Sequence, residues 1–260
     1  MTSILRTNLG AALDQWRGYR EVRLGAKTLK VNPYDKRFWD SVDQGTWENE
    51  TLQALGSALS PGKKYCDIGA WIGPTVLAAH QHGAEIHCFE PDPLAYERLL
   101  GNLRLNGALD VRCLQLALGA VDGPRTMGAM VGSLGKSATS LLGGESQHTV
   151  RVSGMTWSTA CRVFALPRFD VIKMDIEGGE SELLPSMMDY LREFRPVLIL
   201  STHWSFLSED GRGALCASLA SLADIYADVR SLTGASGDPC DLKDPLTPSR
   251  QSIFVLRAGE

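Results

Sequence analysis

The sequence has no Cys-x-x-Cys pair, no long run of Lys or Arg, and no apolar stretch approaching the roughly 18 residues that cross a bilayer. Each absence removes a class of function. Cys66, Cys88, Cys113, Cys161, Cys216 and Cys240 are scattered without metal-ligand spacing, and three of them fall in predicted strands, so they read as buried, reduced thiols. A formal charge of −4 gives no basic footprint for a nucleic acid, and small or neutral substrates fit this balance better. The first residues carry no apolar signal core behind basic ones, which predicts a cytoplasmic protein with no membrane partner. Asn49-Glu50-Thr51 matches a glycosylation acceptor, a pattern of little meaning without a secretory signal.

Two nucleotide-binding signatures are missing as well. Gly135-Lys136-Ser137 ends like a phosphate-binding loop, but Met130 stands where the leading glycine belongs and no clear strand precedes it. The dinucleotide fingerprint needs a second glycine two residues after the first, and after Gly69 that position is Trp71. Its bulk blocks the close approach of backbone to a pyrophosphate.

What is present is a chain of 260 residues with 44 % hydrophobic content, enough for one well-buried α/β domain and a short appendage. Strand patterns lie near Lys64–Ile68, Glu85–Phe89, Val111–Ala117, Asp170–Asp175, Val197–Ser201 and Gln251–Leu256, most of them separated by helical patterns. That alternation predicts a doubly wound, mainly parallel sheet with ligands at the carboxyl ends of its strands. Residues 1–60 read as a preface: an amphipathic helix over Asn8–Tyr19, a hairpin around Gly25-Ala26-Lys27, and an aromatic segment. Residues 61–260 form the main domain. Gly123–Ser153, rich in Gly and Ser, predicts a loop or hairpin insertion over the site, strand-like only from His148 to Ser153.

Three constellations carry candidate chemistry. In CDIGAWIGP, Gly69 and Gly73 allow a sharp strand-to-helix turn, and Asp67 brings a charge that repels a pyrophosphate but suits the ammonium and sulfonium of S-adenosylmethionine. About twenty residues on, Glu90 ends the second strand, where an acid accepts hydrogen bonds from both ribose hydroxyls. Asp92 is the predicted N-cap before Pro93. In the second constellation, FDVIKMDIEGGE, Lys173 and Asp175 share one face of a central strand, either as a simple ion pair or with Asp175 and Glu177 at the cofactor's reactive end. Glu180 and Glu182 read as charges favouring the next helix N-terminus. The third is His203, ending the fifth strand at the same sheet edge. As a general base it would take a hydroxyl proton, with Asp175 orienting it or the substrate and Lys173 keeping Asp175 charged; alternatively Asp175, Glu177 and His203 make a site for a divalent ion.

The arrangement from about Gly45 to Leu256 resembles the FkbM family of S-adenosylmethionine-dependent methyltransferases. GTWENE at Gly45–Glu50, DIGAWIG, FEPDP at Phe89–Pro93, SATSLL at Ser137–Leu142 and above all IKMDIEGGE at Ile172–Glu180 carry the likeness; Asn49 and Trp71 depart from its usual proline and asparagine. The resemblance implies a class I, Rossmann-like seven-stranded sheet with a final antiparallel strand. It implies methyl transfer to a hydroxyl of a sugar, glycan or natural product. It further implies a cofactor site made by Glu50, Asp67, Gly69, Ala70, Trp71, Gly73, Glu90, Pro91, Asp92, Ala117 and Leu118. An amine acceptor, a nicotinamide-dependent oxidoreductase on a related fold, and a cofactor-binding module without catalysis stay open at this point.

Overall fold

A computed structural model describes residues 13–25, 27–130, 132–144, 146–233, 239–244 and 252–259. The main sheet has seven strands: β3 (Lys64–Ile68), β4 (Glu85–Phe89), β5 (Arg112–Leu114), β10 (Val171–Met174), β11 (Val197–Thr202), β12 (Asp228–Ser231) and β13 (Ser252–Arg257). Their order is β12-β13-β11-β10-β3-β4-β5, and β13 runs antiparallel to both neighbours while the rest of the sheet from β11 to β5 is parallel. This is the predicted doubly wound sheet with a last antiparallel strand.

Near-continuous apolar strands need cover on both faces, and alternation sorts their side chains between two cores. Tyr65, Val171 and Ile199 join one core with helices α2 (Lys36–Asp43), α3 (Asn49–Ala58), α4 (Pro74–Gln81) and α5 (Pro93–Leu105). Cys66, Ile172 and Leu198 join the other, against α6 (Trp157–Phe164), α7 (Glu180–Phe194) and α8 (Glu209–Ile225). The same parity puts Asp67 beside Lys173 in the β3–β10 register. A polar pair is thereby fixed inside the first core at the carboxyl end of the sheet.

The hairpin β1 (Arg20–Leu24) and β2 (Lys27–Val31) pairs as predicted and buries Val22, Leu24, Leu29 and Val31 in that first core. Its second strand is stitched to α5: Asn102 Oδ1 accepts from the Asn32 amide at 2.7 Å and Asn106 Oδ1 from that of Lys30 at 3.0 Å. Of the predicted first helix, residues 13–17 are helical and form α1, and residues 8–12 lie outside the described residues.

Four expectations need correction. The third strand is shorter than Val111–Ala117, because the chain leaves the main sheet after Leu114 and Ala117–Leu118 forms β6 of a second sheet. The insertion is that second sheet, ordered β6-β9-β7-β8, with β7 (Gly123–Ala129), β8 (Thr139–Ser140) and β9 (Thr149–Met155). Its β7 has the composition of a turn, but pairing along β9 supplies the ladder that the sequence GPRTMGA does not advertise. Strand β12, DVRS, is a short and partly exposed edge without an apolar run, and the periodicity missed it. All six cysteines are unbridged; Cys66 and Cys88 are buried and the other four only half-buried. No helix among the described residues is long and apolar enough to cross a membrane.

Candidate active site

Strand β3 ends in a turn that folds over the end of β4. The amides of Gly69 and Ala70 both donate to the Phe89 carbonyl at 3.0 Å, and Gly69 sits at φ +88°, where a side chain is strained. Trp71 donates its amide to Glu90 Oε2 at 2.7 Å and Asp92 donates to Oε1 at 2.8 Å, so the Glu90 carboxylate is clamped beneath the turn. Burial pushes Glu90 up from 4.5 to about 8 in spite of those donors. An inner cavity opens beside it, walled by Phe89, Glu90, Pro91, Leu116, Ala117 and Leu118. A wider outer crevice of about 560 Å³ adjoins it, and the two share Gly69, Trp71, Ser137, Asp175 and Glu177.

The predicted cofactor residues divide into walls and supports. Gly69, Ala70, Trp71, Glu90, Pro91, Ala117 and Leu118 line one cavity or the other. Asp67 lies beneath the lining, fully buried, accepting on Oδ2 from Tyr65 Oη at 2.9 Å and Thr75 Oγ1 at 2.5 Å, while Oδ1 has no hydrogen-bond donor. Gly73 is a left-handed cap before α4. Asp92 caps α5 through the Leu94 and Ala95 amides, and its other oxygen accepts from Gly135, tying the insertion down. Glu50 stands apart: it faces a separate depression with Gln53, Arg230 and Arg257. The acid of that segment that enters the crevice is Glu48, which sequence reasoning passed over. Both are in GTWENE, and only the left-handed backbone at Glu48, φ 38°, decides which one turns inward.

Of the five non-glycine residues with positive φ among those described, Glu48, Trp71 and Glu177 line the crevice, and the other two cap helix ends. Such strain collects where geometry is fixed for function. Trp71, at φ 47°, occupies the conformation that asparagine adopts readily. Its indole packs edge-on against Phe38 at 4.5 Å between ring centres and donates Nε1–H to the Gly135 carbonyl at 3.1 Å. The residue that looked out of place is a wall of the outer crevice and a latch for the insertion.

The chemistry-bearing side chains meet where the cavities join. Lys173 Nζ lies 3.1 Å from Asp175 Oδ2 and 3.9 Å from Asp67 Oδ1. Burial works against its charge, but Asp175, Asp67 and Glu48 outweigh it and raise the ammonium above its usual range. Burial likewise opposes the ionised Asp175, and Lys173 and His203 overcome it, holding the carboxyl low. Burial also pushes Glu177 up to about 7. Glu180 is buried, accepts the amides of Ile176 and Gly178 at 2.8 Å each, and faces His203 Nδ1 at 3.1 Å; its task is to shape the IEGG loop and orient the imidazole, as well as to begin α7. Glu182 pairs with Arg125 of the insertion at 3.0 Å. For His203, burial lowers the affinity for a proton, yet Glu180, Asp175 and Glu177 carry it up to about 9. An imidazole ringed by three carboxylates keeps its proton near neutral pH, so His203 standing alone is a poor acceptor for another. The phenyl ring of Phe206 stacks on it at 6.0 Å.

Residues 67–232, more than half of the chain, match the family described as Methyltransferase FkbM domain. The chain belongs to this family. Among solved structures, it is similar to the methyltransferase FkbM from Methylobacillus flagellatus at 15 % identity, covering 87 % of this chain and 63 % of that one, with a TM-score of 0.47. Precorrin-6Y C5,15-methyltransferase from Geobacter metallireducens is also 15 % identical, over 84 % of this methyltransferase and 89 % of its own length, at 0.45. The tRNA (uracil-54, C5)-methyltransferase of Pyrococcus abyssi, in complex with S-adenosyl-L-homocysteine, is 11 % identical over 92 % of this chain and 44 % of its own, at 0.44. This methyltransferase thus spans less than two thirds of the first and third of these proteins. No curated protein matches it.

Proposed function

We propose that this methyltransferase transfers the methyl group of S-adenosylmethionine to a hydroxyl of a small, carbohydrate-like acceptor in the cytoplasm. The observation that carries the reading is the junction of the two cavities, where Asp175 and Glu177 belong to both and aromatic side chains wall the outer one. The lining of the inner cavity supports the cofactor by its chemistry. Glu90 is a buried carboxylate at a strand end, beside an apolar slot of Phe89, Leu116 and Leu118 that suits an adenine. One buried acceptor without a donor, Glu48 Oε2, belongs to the outer crevice and gives the field an ammonium needs, while Asp67 Oδ1 beneath the lining faces Lys173. The sulfonium supplies the methyl in electrophilic form.

Everything else falls to this chain. Phe38, Trp47 and Trp71 offer ring faces and edges to the apolar side of a sugar, and their mutual contacts at 4.5 to 5.1 Å keep that wall rigid. Asp175 and Glu177 orient the acceptor hydroxyl toward the cofactor cavity. S-adenosylmethionine bound there would supply the methyl carbon, with its sulfide as the leaving group, and the acceptor's hydroxyl proton would pass to the carboxylate side of the group formed by Asp175, Glu177 and His203. Lys173 keeps Asp175 ionised throughout. Incubation with S-adenosylmethionine labelled in its methyl group and a panel of sugars, glycans, hydroxylated natural products and amines tests the reading. Label on a hydroxyl is the expected result; label confined to amines would overturn the acceptor chemistry, and no binding of S-adenosylhomocysteine in a calorimeter would overturn the cofactor.

A further inference from the structure

We infer that Asp175, Glu177 and His203 hold one divalent cation at the junction of the cavities. Its existence is argued from geometry, while its task rests on the methyl-transfer reading above. One oxygen of each carboxylate and a ring nitrogen of His203 all lie within 4.8 Å of one another. The two distances from Nε2, to Asp175 Oδ1 and to Glu177 Oε2, are both 3.4 Å. A normal N–H···O bond is about 2.9 Å. Ligands about 2.1 Å from one tetrahedral ion stand about 3.4 Å apart. The spacing is long for direct bonding and right for a shared ion.

The imidazole is set up for this. Glu180, itself fully buried and fixed by two backbone amides, takes the Nδ1 side of the ring at 3.1 Å. Glu180 holds the proton on Nδ1, so when an ion displaces the second proton from Nε2 the lone pair left there faces the two carboxylates, the carboxylate–histidine arrangement that orients metal-binding imidazoles. His203 is 5 % exposed, and among the described residues no hydrogen bond engages Nε2. Asp175 divides its oxygens: Oδ2 faces Lys173 and Oδ1 is left for the ion. Two oxygens and one nitrogen leave coordination positions open toward the outer crevice; an acceptor hydroxyl bound there would give up its proton far more readily than in water, and the second carboxylate oxygen of Glu177, which the ion leaves free, would take it.

Manganese(II) is the probe. Protein treated with a chelator and dialysed is titrated with MnCl2, and free ion is read by electron paramagnetic resonance. One ion per chain is expected, with affinity falling more than tenfold in Glu177→Gln and in His203→Gln and unchanged in Glu50→Gln. Should either variant fold poorly, broadening of the His203 ring resonances by manganese in the unaltered protein reads the same contact. Absence of binding at millimolar manganese, or binding that ignores both substitutions and leaves the His203 resonances sharp, overturns the inference. A parallel titration with S-adenosylhomocysteine keeps the two readings apart: cofactor binding without any ion site sinks this inference alone, and loss of cofactor binding strikes the reading beneath it.

Discussion

Gly69 packs its Cα against the peptide of Asp175 so closely that a methyl group there would lie inside the Asp175 carbonyl oxygen. The turn after β3 and the carboxyl end of β10 are thus locked at van der Waals contact, with the Asp175 amide donating to the Ile68 carbonyl at 3.0 Å. Substitution Gly69→Ala meets backbone on one side and a φ of +88° on the other. The left-handed conformation costs about 1 to 2 kcal/mol and the overpacking about 1 to 3 more. Urea denaturation is expected to show a loss of that combined size. Gly73→Ala, where the obstacle is the flexible Leu99 side chain, is expected to be milder; equal losses at the two positions would contradict the tight Gly69–Asp175 contact.

The two acids of GTWENE separate function from scaffold. Glu48 Oε2 is buried without a donor in the outer crevice, and burial together with Asp175 raises its carboxyl above the ordinary range. On the proposed function a cation of the cofactor is the hydrogen-bond partner of this acceptor, and hydrogen bonds to charged groups contribute about 1.5 to 3 kcal/mol. Glu48→Gln is therefore expected to weaken S-adenosylmethionine binding roughly ten- to a hundredfold. Glu50→Gln is expected to leave it alone. Calorimetric titration of both variants decides the matter, and the reverse order of effects would return the role to Glu50.

Why the sequence could name the sheet but not choose between these acids has a physical answer. Apolar strands such as VLIL and helices opened by Pro74 and Pro93 are set by local rules, so they are legible. The place of Glu90 at the end of β4, on the wall of the inner cavity, was legible too, because a carboxylate at a strand end about twenty residues after a glycine turn has few other positions to occupy. Glu48 depends on one residue's backbone hand, and β7 depends on a partner strand twenty residues away in the chain. Glu180 shows the limit from another side: a helix-opening acid is a sufficient explanation for its place in the sequence, and only the fold brings His203 to it. Trp71 broke a local rule at φ 47°, and the compensation lay in Phe38 and Gly135, both distant in sequence.

Lys173 is the one lysine ammonium among Asp67, Asp175 and Glu48, and removing it strands charge in the core. Breaking a buried ion pair from one side costs about 3 to 5 kcal/mol. Lys173→Met is expected to lose stability on that scale, and Asp67→Asn in the same chain is expected to restore part of it. The double-mutant comparison by urea denaturation reads the coupling. Additive losses would show that Lys173 acts on Asp175 alone.

Glu90 makes cofactor binding depend on pH in a direction that can be worked out. Burial, with Asp92 and Asp67 adding to it, raises the carboxyl from 4.5 to about 8 against the Trp71 and Asp92 amides. An acid raised on folding favours the native state while protonated, so its contribution to stability diminishes as pH climbs from about 4.5 toward 8 and is constant above. Binding runs the other way, since ribose hydroxyls donate to the ionised form. Affinity for S-adenosylhomocysteine is expected to fall as pH drops below 8, by at most about tenfold per unit, with a proton released on binding near pH 7. Calorimetry in two buffers of different ionisation enthalpy counts that proton directly. Glu177 and His203 also titrate in this range, so Glu90→Gln is the necessary comparison: it is expected to bind more weakly and to lose the slope. A wild-type profile that is flat from pH 6 to 9, or one that Glu90→Gln leaves unchanged, would show that the ribose is held elsewhere.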